Sequence, residues 1–576
     1  MSATGPERRP TFPPFAPTVP EWLRLTAAAN GARDAIVRGP DRISYAELER
    51  RSAELARGLL AKGIGKGARV GLLMPNSPDF AVAFMALGRI GALACPFSTL
   101  YQAPELRWVL HNADVELLLV CDRYLSHDYM ARLESAFPTL AGQSAAALAL
   151  PEAPFLREIM VWGRADRGWA SAGPSALAEA AAARPQIDAA FLAAAEAAVV
   201  PADLLCMIHT SGSTADPKGV VHSHGGMIRH SFQKSQDYWM VEPGERVIAG
   251  RPWFWIAGLA AVLFQGLQLG ACIVVPEGAV AGEAALALVE REGATAVIGD
   301  EALFKSLRDD PVLQAAGLEL FRLSNEVAAF GRRTADGARF LNPQRAARWP
   351  VAEQLPDALI PRSYGMTETI SSHTSVPRAT TLLPAAKPRA CGQPMPGVSL
   401  RIVDPETGLP SPTGEVGEIW VRSYSLMQGL YKKEREETFS ADGFYPTGDL
   451  GRMDADGFLH FASRMGEMIK ISGANVAPIE VEICLTAMAE VERAAVVPLR
   501  GAGGATVLAA AVQLRPGAAF DAARIQGALR EQLSSYKVPR HVFALAAEAF
   551  PMTGSGKIKK SDLIALLQAR LPEAAG

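Results

Sequence analysis

Short apolar runs alternate with amphipathic stretches along roughly the first 390 residues, and this alternation most constrains the fold. Residues 44–62 read as a helix: Ser44 and Glu47 form a capping box, and Leu48, Leu55 and Leu59 recur at helical spacing. Arg69 to Met74 follows as a strand, and Ser77-Pro78 opens a second helix with proline in its first turn. Val115 to Val120 is again a strand, apolar apart from Glu116. Strand–helix alternation of this kind predicts an α/β fold with parallel sheets covered on both faces. Residues 143–200 are rich in alanine and read as helical excursions on the surface. Leu204 to Ile208 and Thr295 to Ile298 continue the series as strands.

After about residue 390 the texture changes. Val398 to Val403, Glu418 to Val421 and Phe458 to Phe461 read as short strands of a β-rich subdomain. From near Gly466 a small α+β unit follows, with strands at 494–497, 507–514 and 542–545 and a helix at 522–533. The expected division is a large N-terminal domain, 1–464, and a C-terminal domain, 465–576. A chain of 576 residues is too long for one core. Its net charge of -3 gives no sign of bulk nucleic-acid binding. Six scattered cysteines with no C-x-x-C pair fit a reducing, cytoplasmic compartment. The uncharged run Trp255 to Val275 is interrupted by Gly258, Gly266, Gly270, Gln265 and Gln268. It reads as a buried helix and strand rather than a transmembrane segment.

Five stretches carry the chemistry. The first, Thr210-Ser211-Gly212-Ser213-Thr214-Ala215-Asp216-Pro217-Lys218-Gly219, follows a strand. Small residues let backbone N–H groups converge on phosphate oxygens, hydroxyls add donors, and Lys218 adds a point charge. Gly219 and Val220 after the lysine rule out a Walker-type loop. The second is Tyr364-Gly365-Met366-Thr367-Glu368: a ring that can stack on a base, a glycine for close approach, and a hydroxyl and carboxylate that reach a phosphate and its Mg2+. The third, Tyr445-Pro446-Thr447-Gly448-Asp449, puts a carboxylate at a turn where it can accept from a ribose diol. The fourth runs from Arg464 to Val476 and the fifth from Pro551 to Lys560, the latter with Lys557 on a glycine-hinged loop. Taken singly, each also reads as an ordinary turn, linker or basic surface cluster.

In order and spacing, TSGSTADPKG, YGMTE, YPTGD, SRMGEMIKISGANV and GSGK resemble the adenylate-forming superfamily of acyl-CoA synthetases, peptide-synthetase adenylation domains and luciferases. The resemblance spans Ser44 to Lys560. It implies that ATP and a carboxylate give an acyl-adenylate, from which a thiol displaces AMP. It further implies that Thr210, Ser211, Gly212, Ser213, Thr214 and Lys218 wrap the β- and γ-phosphates. Tyr364 and Gly365 would line the adenine and acyl side, Thr367 contact the α-phosphate and Glu368 hold Mg2+. Asp449 and Arg464 would bind the ribose, and Lys557 would bridge carboxylate and α-phosphate. Arg464 and Gly466 would mark the hinge of a mobile C-terminal domain that carries Ser472 and Gly473 to the pantetheine of coenzyme A.

Three positions depart from the pattern: Ala215 for a loop glycine, Gly466 for a hinge Asp or Lys, and Leu323-Ser324-Asn325-Glu326-Val327 where Gly-Gly/Ala-Pro is expected. Arg332 to Arg348 reads as a basic insertion. Pro252-Trp253-Phe254-Trp255-Ile256-Ala257-Gly258-Leu259 resembles the family's P-x-F-H segment with Trp255 for His. Trp253 and Phe254 read as core aromatics, and Trp255, Gly258 and Leu259 as acyl-pocket wall. Apolar neighbours predict an uncharged, hydrophobic acid. The expected activity is acyl-CoA synthesis from such an acid, ATP and CoA. Two other readings stay open: a ligase loading a carrier-protein phosphopantetheine, and a non-catalytic nucleotide- and acyl-binding protein.

Overall fold

The computed structural model describes residues 9–210, 217–335, 337–380, 382–465, 469–471, 474–476, 478–501, 506–533, 537–553 and 557–571. Two compact units divide the chain. The first comprises Met1–Ser399 and Val421–Tyr445; the second comprises Leu400–Trp420 and Pro446–Gly576, and so takes in most of the β-rich segment.

Two eight-stranded sheets build the first unit. One has a parallel centre, Ala296–Ile298, Arg246–Ala249, Cys272–Val274 and Asp34–Arg38, with antiparallel neighbours on either side. In the other, Leu204–Thr210, Leu93–Pro96, Arg69–Leu73, Leu117–Cys121, Glu158–Trp162 and Ala170–Ala172 run parallel in that order. The helix Tyr45–Ala61 starts at the expected capping box, with the Ser44 side chain and Glu47 exchanging hydrogen bonds. Ser77 caps Pro78–Arg89, whose residues are all buried except Asp79. A helix so thoroughly apolar belongs between layers. One core cluster accordingly joins Phe80 and Phe84 of this helix to Leu72 of one sheet and Ile273 of the other.

One sequence reading needs correction. The alanine-rich stretch is not helical throughout: Glu158–Trp162 is an inner strand of the sheet, paired in parallel with Leu117–Cys121 on one side and Ala170–Ala172 on the other. The basic segment 332–348 is woven into the fold. Gly337–Phe340 pairs with Val327–Thr334, and Arg345 is fully buried with Nη2 2.9 Å from the equally buried Glu245. The uncharged run folds as expected, into helical turns from Ile256 to Gln268 and the strand Cys272–Val274. Among the described residues no helix is long and apolar enough to cross a membrane.

Val398–Val403, Gly417–Ser423, Tyr445–Met453 and Leu459–Arg464 form a four-stranded sheet, most of whose residues belong to the second unit. Val491–Arg500, Thr506–Leu514 and His541–Ala544 form a separate three-stranded sheet. Alternating side chains of this last sheet face opposite ways, as strand geometry requires. Val496 and Leu508 meet Val481, Leu485 and Ile525, whereas Val497 and Ala509 meet Leu563 and Leu567.

Candidate active site

The strands Leu204–Thr210 and Lys218–Ser223 are antiparallel and stay in register to their tips, where Thr210 faces Lys218. Lys218 is exposed. Ser211, Gly212, Ser213, Thr214 and Ala215, which connect the two tips, lie outside the described residues, as do Gly466, Ser472 and Gly473.

Tyr364–Met366 is a short strand paired antiparallel with Ser371–Ser375. Their approach is unusually close at Gly365, where a Cβ would sit 2.1 Å from the Ser371 carbonyl oxygen. The intervening Thr367–Thr369 makes one 3-10 turn. The chain then reverses through two left-handed residues, Ile370 (φ 60°) and Ser371 (φ 100°), an uncommon conformation for a β-branched side chain. The Tyr364 ring packs edge-on against His373 with centroids 5.1 Å apart. Thr367 and Glu368 are therefore presented on a turn whose backbone has little freedom.

That turn is tied to the strand Lys218–Ser223. His222 Nε2 lies 2.8 Å from the Thr367 carbonyl oxygen, and since a carbonyl only accepts, Nε2 carries the proton. Burial lowers the pKa of His222 to about 4, so the ring stays neutral and keeps this tautomer. The Glu368 carbonyl accepts from Met427 N at 2.7 Å, and its carboxylate from Tyr445 Oη at 3.3 Å.

In the second unit Asp449 and Arg464 stand opposite each other on paired strands, with Nε 3.2 Å from Oδ1. Asp449 is 4% exposed and Arg464 is exposed. Gly448 N donates to Glu418 Oε1 at 2.9 Å, and Thr447 Oγ1 donates to the Ile419 carbonyl at 2.7 Å, which fixes the turn ahead of Asp449. Lys557 N donates to Thr553 Oγ1 at 3.0 Å and its carbonyl accepts from Thr553 N at 2.7 Å, while its side chain is exposed.

Trp253 and Phe254 are buried and Trp255 is half-buried. Trp255 precedes a helical turn, its carbonyl accepting from Gly258 N and Leu259 N. Gly258 admits no side chain, since a Cβ would lie 2.0 Å from the Pro252 carbonyl oxygen. Leu259 is fully buried within the main core cluster.

Sequence reasoning missed a cluster of buried nitrogen bases on the same side of the first unit. The helix His224–Asp237 carries His230 and Lys234 one turn apart, 1% and 2% exposed. His373, on the Ser371–Ser375 strand, is fully buried and gives Nδ1 a 3.0 Å contact with Thr369 Oγ1. The available signal was a helix of polar composition in which ten of fourteen residues are buried; a polar helix without a wet face points to side chains lining something.

Glu368 offers a hard oxygen ligand. Among the described residues no group of three or more His, Cys, Asp or Glu could hold a metal ion. That donor set fits Mg2+, which protein sites commonly bind through one or two carboxylates together with substrate phosphates.

The described geometry ties the strand Lys218–Ser223, through His222, to a turn that bears a hydroxyl and a carboxylate, Thr367 and Glu368. Family comparison gives it a place. Residues 23–431 match the AMP-binding enzyme family and residues 480–557 match the AMP-binding enzyme C-terminal domain. The chain belongs to this family, and it is an ATP-dependent, AMP-forming acid–CoA ligase. It is 30% identical to 4-coumarate--CoA ligase 5 of Oryza sativa subsp. japonica, over 92% of this chain and 90% of that protein. It is 28% identical to 3-hydroxybenzoate--CoA ligase of Aromatoleum sp., over 94% and 95% of the respective chains. Among solved structures, ATP-bound MatB from Rhodopseudomonas palustris superposes with a TM-score of 0.74 at 25% identity, covering 96% of this chain and 99% of that one. An anthranilate CoA ligase, AuaEII, in complex with anthranoyl-AMP shares the fold, with a TM-score of 0.74 at 21% identity.

Proposed function

We propose that this enzyme converts a hydrophobic, ring-bearing carboxylic acid to its CoA thioester in two half-reactions. In the first, a carboxylate oxygen bonds to the α-phosphorus of ATP and the bond from that phosphorus to the bridging oxygen of pyrophosphate breaks. In the second, the CoA sulfur attacks the acyl carbon, the thiol proton is lost, and the bond from that carbon to AMP breaks. The first barrier is largely electrostatic, because two anions must meet.

In this reading the Thr210–Lys218 loop holds the β- and γ-phosphates, Thr367 donates to the α-phosphate and Tyr364 with Gly365 borders adenine and acyl group. Asp449 and Arg464 hold the ribose. Lys557 offsets charge between carboxylate and α-phosphate during adenylation. Ser472 and Gly473 serve the thioester step. Glu368 would hold Mg2+, whose chemistry when bound is to screen the triphosphate. Trp255 forms one wall of the acyl pocket. The names of the relatives, which refer to 4-coumarate and 3-hydroxybenzoate, support an aromatic acid. The scattered cysteines support a cytoplasmic setting.

The observation that carries this reading is the 2.8 Å hydrogen bond from His222 to Thr367. It links the strand behind the phosphate loop to the turn bearing the α-phosphate and metal ligands. ATP–pyrophosphate exchange with a panel of aryl and alkyl acids tests it: acid-dependent exchange is expected, and none with any acid would sink the enzyme reading. Turnover with free CoA separates it from a carrier-loading ligase, which would require a phosphopantetheinyl protein.

A further inference from the structure

Lys234 is an ammonium group in an unusual place. It is 2% exposed, and burial lowers its pKa. A buried lysine is ordinarily matched by a carboxylate. Among the described residues none lies within ion-pair distance of its Nζ; the partner present is the Ser375 hydroxyl at 3.4 Å. One long hydrogen bond leaves most of a three-donor group's capacity unused.

The surroundings do not supply the missing negative charge. Lys234, Asn325, Glu326, Arg362, Ser363 and Ser375 line one pocket. Glu326 attracts the lysine from a distance, but its carboxylate is 3.7 Å from Arg251. Arg362 is turned toward Asp357 at 3.3 Å, leaving its Nε buried without a partner among the described residues. Among the described residues His230 has neither ring nitrogen partnered and His373 leaves Nε2 unpartnered. Burial and the nearby lysine hold both rings neutral, so they neither add to nor cancel its charge.

The pocket also has a telling address. Ser363 immediately precedes Tyr364, and Ser375 ends the strand that pairs with Tyr364–Met366. The unmatched cation therefore sits directly behind the strand proposed above to border the acyl group.

We propose that Lys234 is a specificity-determining residue: it receives an anionic oxygen carried at the far end of the acid, so that preferred substrates bear a second carboxylate or an acidic phenol on an otherwise apolar frame. This rests on the acid–CoA ligase reading and refines its substrate class. An acid lacking the second oxygen leaves the lysine buried and unmatched, a costlier mismatch than a missing methylene.

Matched acid pairs test this: benzoate against 3-hydroxybenzoate and isophthalate, and hexanoate against adipate, in ATP–pyrophosphate exchange with the full-length enzyme. The wild type is expected to favour at least one oxygenated member by about ten-fold or more in kcat/KM. The hydroxybenzoate and dicarboxylate arms distinguish a phenol from a carboxylate. Lys234→Met should abolish that preference while leaving exchange on the parent acids and the KM for ATP within about three-fold of wild type. Lys234→Arg should retain part of it. A merely structural lysine would depress both members of each pair equally, and that result overturns the proposal. So does a wild type that favours the parent acids, a measurement that stands even if the variants fail to fold. Exchange with parent acids but a flat ranking sinks only the Lys234 assignment; no exchange with any acid sinks the ligase reading and this inference with it.

Discussion

Gly365→Ala is a sharp test of the site geometry. An alanine Cβ would lie 2.1 Å from the Ser371 oxygen and 2.2 Å from Ser372 Cα. Ordinary contact begins near 3.4 Å, so the two strands must separate by about 1 Å. Both obstructing atoms belong to the backbone, so no side-chain rotation relieves the clash. Ser371 is already left-handed, which limits how the turn can yield. Forced overpacking of this kind costs about 1–3 kcal/mol of stability. The larger effect is kinetic: a displacement of about 1 Å at residues that position reactants reduces rate by about 100-fold. The expected result is a folded enzyme, checked by near-ultraviolet circular dichroism, with ATP–pyrophosphate exchange down by about two orders of magnitude. Gly429→Ala is the control, since its Cβ meets nothing within 4 Å. Exchange by Gly365→Ala within about threefold of the control would refute the claim that this close strand pair positions Thr367 and Glu368.

Three other perturbations probe different parts of the molecule. Lys557→Ala should suppress adenylation by about 100-fold or more while sparing thioester formation from supplied acyl-adenylate; equal loss in both half-reactions would contradict its assigned role. Trp255→Ala should reorder acid preference in competition assays with little change in the KM for ATP, and an unaltered ranking removes Trp255 from the pocket wall. Burial lowers the pKa of His209, His222 and His224 to about 4 and that of His373 to about 3. The unfolded chain therefore binds protons that the folded one refuses. Stability should be whole above about pH 6.5 and fall toward pH 4, by up to about 1.4 kcal/mol per pH unit for each histidine. Urea midpoints that stay level between pH 7 and pH 5 would disprove this.

Local signals made much of the fold legible. Ser44 and Glu47 announce their helix because a capping box is a short-range interaction. The strand Glu158–Trp162 escaped notice because its five residues sit among alanines, and it becomes a strand by pairing with Leu117–Cys121, about forty residues earlier. The buried place of Arg345 could not be read from the basic stretch 332–348, because nothing nearby in sequence says that Glu245, a hundred residues away, meets it in the interior. The same holds for the site. Glycines and hydroxyls at fixed spacing mark phosphate-binding stretches, since backbone reach sets the spacing. Lys234 and His373 come from a helix and a strand almost 140 residues apart, and only tertiary packing brings the two side chains close enough for one to lower the pKa of the other.

The left-handed pair Ile370 and Ser371 has a consequence for anyone seeking to harden this enzyme against heat. Non-glycine residues held in that region cost about 1–3 kcal/mol each. Ile370→Gly is therefore an inviting stabilising substitution on backbone grounds alone. Yet Ile370 is fully buried, and its Cδ1 would meet a Cβ at Gly226, on the helix that bears His230 and Lys234, at 3.2 Å. Replacing it would ease the turn and at the same time empty the contact that seats the turn on that helix. Losing a fully buried isoleucine costs about 2–5 kcal/mol, more than the backbone strain it would relieve, so improvements in endurance are better sought elsewhere in the chain.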